Sequence, residues 1–183
     1  MITSAKKMHD NLEIQNLKRS ILAVGKEELE IWKRAVVADE QLFSQLFQLI
    51  FSGDKRLAWR SCWIIDNASE YAPGLLADKL PKIIAGFLTT TDGSLKRHFT
   101  RMLCRYQIPE ENLGEIVNRA FKLLAPSEPI SVRVFAMQLL FNISLRLPDL
   151  KGELTSVLEN LVDEGGSAGF INRSGKLLRK LRS

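Results

Sequence analysis

The sequence has few of the residues that build metal centres and nucleophilic sites. Its 183 residues include two cysteines, Cys62 and Cys104, and two histidines, His9 and His98, which are far apart along the chain. A structural zinc site normally takes four such ligands, often paired at short spacing. We therefore predict reduced cysteines packed among apolar neighbours, with no metal and no cofactor.

Long apolar runs are missing too. The apolar stretches are short and interrupted by charges, well below the roughly 20 residues that a membrane span requires. Residues 1–7 lack the apolar region of a secretory signal. We expect a cytoplasmic protein that does not enter a membrane.

Motifs for catalysis are equally scarce. The glycine-rich residues 165–169 follow no strand and do not match the spacing of a phosphate loop. His98 is interpreted as a surface or supporting residue, and Asp66 with Glu70 as part of a solvated helix face or as partners of arginines. No small-molecule substrate is evident. These features favour a protein that is not an enzyme and leave an enzyme as the weaker alternative.

Helical periodicity, by contrast, fills the chain. Apolar residues make up 45% of the sequence, enough for a continuous core, and no alternating strand pattern is present. The most apolar helix is predicted at 129–148, between two prolines, and it should be buried on several sides. Its main polar interruptions are Arg133, Gln138, Asn142 and Arg146.

An internal repeat organises these helices. Arginines recur at 60, 97, 133 and 173, and an acidic residue precedes the first three, whereas Ser167 precedes the fourth. A period in this range is typical of stacked helix pairs. We predict a single domain, 1–183, with two N-terminal cap helices in 1–38 and helix pairs at 39–72, 73–108, 109–148 and 149–183. The second pair is predicted as one helix at 73–89 and another at 94–108.

This pattern of a turn acid followed by a hydrophobe–Arg pair, as in Trp59-Arg60 and Val132-Arg133, resembles HEAT repeats of the armadillo-like α-solenoids. The resemblance implies an all-α fold, a right-handed α–α superhelix of about four helix pairs. It also implies that the acids and arginines link adjacent repeats as a structural ladder. The implied ladder residues are Asp54, Arg60, Asp92, Glu128 and Arg133.

A closer resemblance rests on two segments. Residues 135–144, Phe-Ala-Met-Gln-Leu-Leu-Phe-Asn-Ile-Ser, and 166–173, Gly-Ser-Ala-Gly-Phe-Ile-Asn-Arg, are similar to small bacterial HEAT-like proteins of unassigned function. Some of those are labelled adenylosuccinate lyase. The Ser-Ser-x-Met-Pro-x-Lys-x-Asn loop of that lyase superfamily is absent from this sequence, so we expect no lyase activity.

Charge is distributed unevenly over the predicted helices. The net charge is +5, and cations concentrate on the second helix of each pair, which in a HEAT-like solenoid lines the concave surface. Arg97, Arg101 and Arg105 recur every four residues and predict one cationic stripe. The last helix adds Arg173, Lys176 and Arg179, with no acid after Glu164. We therefore predict a basic concave groove made by these six residues.

Two functions fit such a groove. The first is a non-enzymatic scaffold that binds an acidic or helical protein segment. The alternative is nucleic-acid binding, because positive grooves attract phosphate backbones and Trp59 and Trp63 could stack on bases. Some alkylpurine DNA glycosylases are similar HEAT-like solenoids, and that resemblance would require a groove carboxylate such as Asp66.

Overall fold

The computed structural model describes the backbone of residues 2–182 and the side chains of residues 13–182. Over residues 2–182 every regular element is a helix and none is a strand, which confirms the predicted all-α class. Among the described residues, no helix combines the length and the apolarity that crossing a bilayer requires. His9 lies outside the described side chains.

Ten α-helices and one 3₁₀ helix follow one another along the described chain. The 3₁₀ helix, Pro73–Lys79, lies between the fourth and fifth α-helices. The α-helices are α1 (Ile2–Ala23), α2 (Leu29–Ala38), α3 (Glu40–Leu49), α4 (Lys55–Tyr71), α5 (Leu80–Thr89), α6 (Gly93–Leu103), α7 (Glu110–Lys122), α8 (Ile130–Ser144), α9 (Leu150–Asp163) and α10 (Ala168–Arg182).

These helices form two compact units, Met1–Leu76 and Ala77–Ser183. In the N-terminal unit, α4 packs against α1, α2 and α3, and α2 also contacts α3. Cys62, Ile64, Ile65 and Ala68 on the inward side of α4 are fully buried, as are three polar residues of the same helix, Ser61, Asp66 and Ser69. Helix α4 is therefore the centre of this unit.

In the C-terminal unit, α8 has the central place. The pairs α5 with α6, α7 with α8 and α9 with α10 each pack together, and α8 also contacts α6, α9 and α10. The second helices α6, α8 and α10 thus lie side by side in one layer, and α5 also packs on α7. Burial of residues such as Leu139 and Leu140 on α8 confirms that this helix is buried on several sides.

The predicted helix at 129–148 is shorter than expected. Helix α8 begins after Pro129 and ends at Ser144, and the amides of Arg146 and Leu147 turn back to the carbonyl of Ile143. A residue before proline is disfavoured in the α conformation, which prevents the helix from reaching Pro148.

The segment predicted as one helix at 73–89 is two elements. The 3₁₀ helix Pro73–Lys79 comes first, and α5 then begins at Leu80 with Pro81 in its first turn. A continuous helix would place Pro81 in its interior, where the ring clashes with the carbonyl four residues earlier and no amide is available. The prediction of a single helix was wrong for that reason.

The helix predicted at 94–108 also ends early. Helix α6 stops at Leu103, and two carbonyls beyond it accept hydrogen bonds from side chains on α8 and just after it. The Nδ2 of Asn142 donates to the carbonyl of Cys104 at 2.8 Å, and the Nη1 of Arg146 donates to that of Ile108 at 2.6 Å. Because these carbonyls already accept hydrogen bonds from side chains outside α6, they do not require the backbone amides of a further helical turn.

Candidate functional site

One surface of the C-terminal unit carries most of the predicted binding residues. Helix α8 is buried on its other sides, but one stripe of residues spaced three or four apart is exposed or half-buried. This central stripe consists of Ser131, Val134, Phe135, Gln138 and Asn142. Helices α6 and α10 flank α8, and together the three define what we call the α6–α8–α10 face.

A relay of hydrogen bonds crosses this face. The guanidinium of Arg173 on α10 donates to Oε1 of Gln138, and Nε2 of Gln138 donates to Oδ1 of Asn142 at 2.6 Å. Asn142 in turn donates to the carbonyl of Cys104 after α6. The relay joins all three helices, so Arg173 has a structural partner within the protein.

The cationic stripe predicted on α6 is not uniform. Arg97 is exposed, and no ion pair or hydrogen bond of its guanidinium is found among the described residues. Arg101 and Arg105 are half-buried and each has a partner within the protein. Arg105 also lies beyond the end of α6, so the spacing of four does not continue on a helix to that residue. Arg97 is therefore the member of the stripe whose charge is uncommitted, that is, without a partner among the described residues.

Helix α10 presents two further uncommitted cations. Lys176 and Arg179 are exposed, and neither forms an ion pair with any described residue. By contrast, Nζ of Lys180 lies 5.9 Å from the ring centroid of Phe141, and Arg182 pairs with Glu159. The positive charge of Lys176 and Arg179 is therefore available to a partner.

The remaining arginines of the C-terminal unit stabilise chain ends. Arg119 donates to the carbonyl of Thr90 at 2.7 Å, Arg133 to that of Leu124 at 3.0 Å, and Arg146 to that of Ile108 at 2.6 Å. Carbonyls just past a helix lack an intrahelical partner and attract cations. Within residues 77–182, Arg97 and Arg179 are thus the arginines without a partner among the described side chains.

The acids of the implied ladder have specific contacts. Asp54 Oδ1 accepts the amides of Arg56 and Leu57, and Asp92 Oδ1 accepts those of Ser94 and Leu95, so both cap their own helices. Glu128 forms an ion pair with Lys96. That pair joins the turn before α8 to α6, so it links neighbouring helix pairs, although its cation is not one of the implied ladder arginines.

The ladder arginines reach carbonyls and rings instead of those acids. Arg133 is 9% exposed, and its guanidinium lies 4.3 Å from the ring centroid of Phe170 on α10. Arg60 donates to the carbonyl of Val24 at 2.7 Å. A guanidinium matches both a carbonyl and an aromatic face, so these two residues connect helices without a carboxylate.

The tryptophans proposed to stack on bases lie in the N-terminal unit. The guanidinium of Arg60 lies 4.4 Å from the ring centroid of Trp59 and 5.6 Å from that of Trp63. Asp66 is fully buried, so the interpretation that it belongs to a solvated face was wrong. A buried carboxylate also does not provide the groove-facing acid that the glycosylase resemblance requires.

The other candidates for chemistry are part of the packing. His98 was interpreted as a surface or supporting residue, and its 1% exposure on α6 contradicts the surface role; it has a partner within the protein. Cys62 is buried and Cys104 half-buried, and neither forms a disulfide with a described residue. The described side chains contain no group of three or more His, Cys, Asp or Glu that could hold a metal ion.

Sequence reasoning missed a pocket of about 350 Å³ between the C-terminal ends of α6 and α8. Its apolar lining is Leu103, Ile108, Leu139 and Ile143, and its polar lining is Tyr106, Gln107, Asn142 and Arg146. The available signal was the recurrence of polar residues at 138, 142 and 146 in an otherwise apolar helix. That spacing of four places Gln138 and Asn142 on one side of α8, and Arg146 follows two residues after the helix ends.

Comparison with known proteins gives one result that bears on this architecture. A family model described as a HEAT repeat domain matches residues 15–181. No curated protein and no solved structure matches the chain. The matched range includes every helix pair and almost the whole of α10.

Proposed function

Since this chain belongs to the HEAT repeat domain family, we propose that it is a protein-binding scaffold whose α6–α8–α10 face holds an acidic segment of a partner. Stacked helix pairs offer broad surfaces made by neighbouring repeats, and protein recognition is their common use. The proposal concerns the chemistry of that partner, which the charges of this face indicate.

The observation that carries this proposal is that three cations of this face have no counter-charge among the described residues. Helices α6, α8 and α10 contain no Asp or Glu at all, whereas α7 and α9 both contain several. Arg97, Lys176 and Arg179 are exposed and unpaired among the described residues. Exposed like charges without counter-charges attract an acidic partner over several ångströms and orient it.

The centre of the face favours a protein segment over a phosphate backbone. Its stripe on α8 is uncharged and includes the half-buried side chains of Val134 and Phe135, which suit contacts with apolar side chains. Nucleic-acid binding usually draws on many Lys and Arg contacts to phosphates. The uncommitted cations of the face are few, and Arg60 lies over the rings of both tryptophans proposed for stacking.

Fluorescence anisotropy tests the proposal with three labelled probes: an acidic helical peptide rich in glutamate, a DNA duplex and a single-stranded oligonucleotide. We expect the peptide to bind at low salt and to be released as salt increases, because exposed charges are screened. The variant Arg97→Glu/Lys176→Glu should lose this binding.

The matched control is Lys82→Glu/Lys122→Glu, which makes the same change in charge at exposed positions of α5 and α7. It should bind the peptide almost as the unchanged protein does. Equal losses in the two variants would show that net charge, not this face, holds the peptide. Binding of an oligonucleotide in preference to the peptide, abolished by the same face variant, would establish the nucleic-acid alternative.

A further inference from the structure

The pocket at the ends of α6 and α8 is continuous with the α6–α8–α10 face. Asn142 belongs to both, since it is part of the central stripe and also lines the pocket. A segment that lies along α8 on this face therefore meets the pocket opening one turn beyond Gln138. Such a segment has to pass over this opening or fill it.

The pocket is held by contacts within the protein. The bonds from Asn142 to Cys104 and from Arg146 to Ile108 fix the end of α6 against α8. Leu103, Leu139 and Ile143 behind them are buried core residues. A cavity whose walls are already ordered loses little conformational entropy when it is filled.

The lining determines what can fill it. Half of the lining residues are leucine or isoleucine, and the volume of about 350 Å³ is at the lower end for ligand sites, enough for one large side chain and its surroundings. Arg146 contributes a positive charge to the pocket, and no acidic residue lines it. An occupant should therefore be apolar with a carboxylate beside it.

We propose that the acidic partner segment carries one large apolar residue, such as leucine or phenylalanine, which enters this pocket while a neighbouring acidic residue pairs with Arg146. This inference rests on the proposed function and defines its partner further. The guanidinium of Arg146 uses one N–H group on the carbonyl of Ile108, so other N–H groups remain for a carboxylate.

The test compares two acidic helical peptides of equal charge that differ at one residue, leucine or alanine, placed beside a glutamate. Changing the peptide leaves the fold of the protein untouched. We expect the leucine peptide to bind about tenfold tighter or more, because burying a leucine side chain removes its apolar surface from water. Both peptides should still depend on Arg97 and Lys176.

A variant of the protein locates the effect. Gln107→Trp places a large ring at an exposed position of the pocket lining and should reduce the difference between the peptides to less than about twofold. Gln15→Trp, at an exposed position of α1, is the control and should preserve the difference. Retention of the difference in Gln107→Trp would overturn the assignment to this pocket.

The possible failures are distinguishable. Equal affinity for the leucine and alanine peptides, with loss of both in Arg97→Glu/Lys176→Glu, would overturn the apolar anchor and leave the proposed function standing. Binding of neither peptide to the unchanged protein would overturn both.

Discussion

Helices α8 and α10 lie side by side in the C-terminal unit but use their residues differently. Helix α8 packs against four helices and contains a single cation, Arg133, which is buried. Helix α10 packs against two helices and contains five cations, of which Lys176 and Arg179 face solvent and pair with no described side chain. One helix provides the core, and the other provides the charge that a partner can meet.

This difference shows that repeat position does not determine the role of an arginine. Arg97 and Arg133 occupy equivalent places in successive repeats, yet Arg97 is exposed and Arg133 lies between the carbonyl of Leu124 and the ring of Phe170. The cause is packing, since α8 is covered by neighbours on both sides. A binding residue has to be recognised by its lack of internal partners.

The largest effect is expected from the core of α8. Leu140 is fully buried, so Leu140→Ala should lower the free energy of unfolding by about 2–5 kcal/mol. Chemical denaturation measures this loss. Leu145→Ala just past the same helix is the control, because Leu145 is 61% exposed, and its cost should stay within about 0.5 kcal/mol. Similar costs at the two sites would contradict the central position of α8.

The next largest effect on stability is expected from replacing Arg133, in comparison with Arg97 at the equivalent place of the preceding repeat. Arg133→Met should cost about 1–3 kcal/mol of unfolding free energy, because the carbonyl of Leu124 loses its donor and Phe170 loses its cation. Arg97→Met should cost less than about 0.5 kcal/mol. Denaturation of both variants under one condition measures the difference, and a cost at Arg97 equal to that at Arg133 would give both arginines a structural role.

Much of the fold could be predicted because its signals are local. An apolar period near 3.6 residues identifies helices, and Asp39, Asp54 and Asp92 mark three helix starts at which their side chains cap backbone amides. The end of α6 could not be predicted in this way. It depends on Asn142 and Arg146, each 38 residues beyond the carbonyl that it binds, and sequence spacing does not show which carbonyl a side chain reaches.

The candidate site was predictable only in part, for a related reason. The concentration of cations on α6 and α10 is visible in the sequence. Whether a given cation is free depends on neighbours from other helices, as with Gln138 for Arg173 and Glu159 for Arg182. The pocket beside Asn142 is likewise formed by residues from two helices and the loop after α6.

Substitutions in the hydrogen-bond relay across the face should lower the unfolding free energy by a smaller amount, and their effects should be coupled. Asn142→Ala removes the donor to the carbonyl of Cys104 and should cost about 1 kcal/mol. Gln138→Ala should cost a similar amount. Because Gln138 donates to Asn142, the double variant should cost less than the sum by about 0.5 kcal/mol or more. Strict additivity in a double-mutant cycle would show that the two amides do not act together.

The smallest expected effect is a gain in unfolding free energy when an unpaired charge of α10 is removed. Lys176 lies three residues before Arg179 and four before Lys180, and like charges at these spacings destabilise a helix by about 0.2–0.5 kcal/mol per pair. Lys176→Gln should therefore raise the unfolding free energy by a few tenths of a kcal/mol at low salt, and the gain should vanish at high salt because the repulsion is screened. Thermal unfolding at two salt concentrations measures this.

A loss of stability in Lys176→Gln would mean that the lysine has a partner within the protein, which would remove it from the cations available to an acidic segment. A gain would mean that the charge of Lys176 is unpaired and lowers the stability of α10, which leaves it available to an acidic segment.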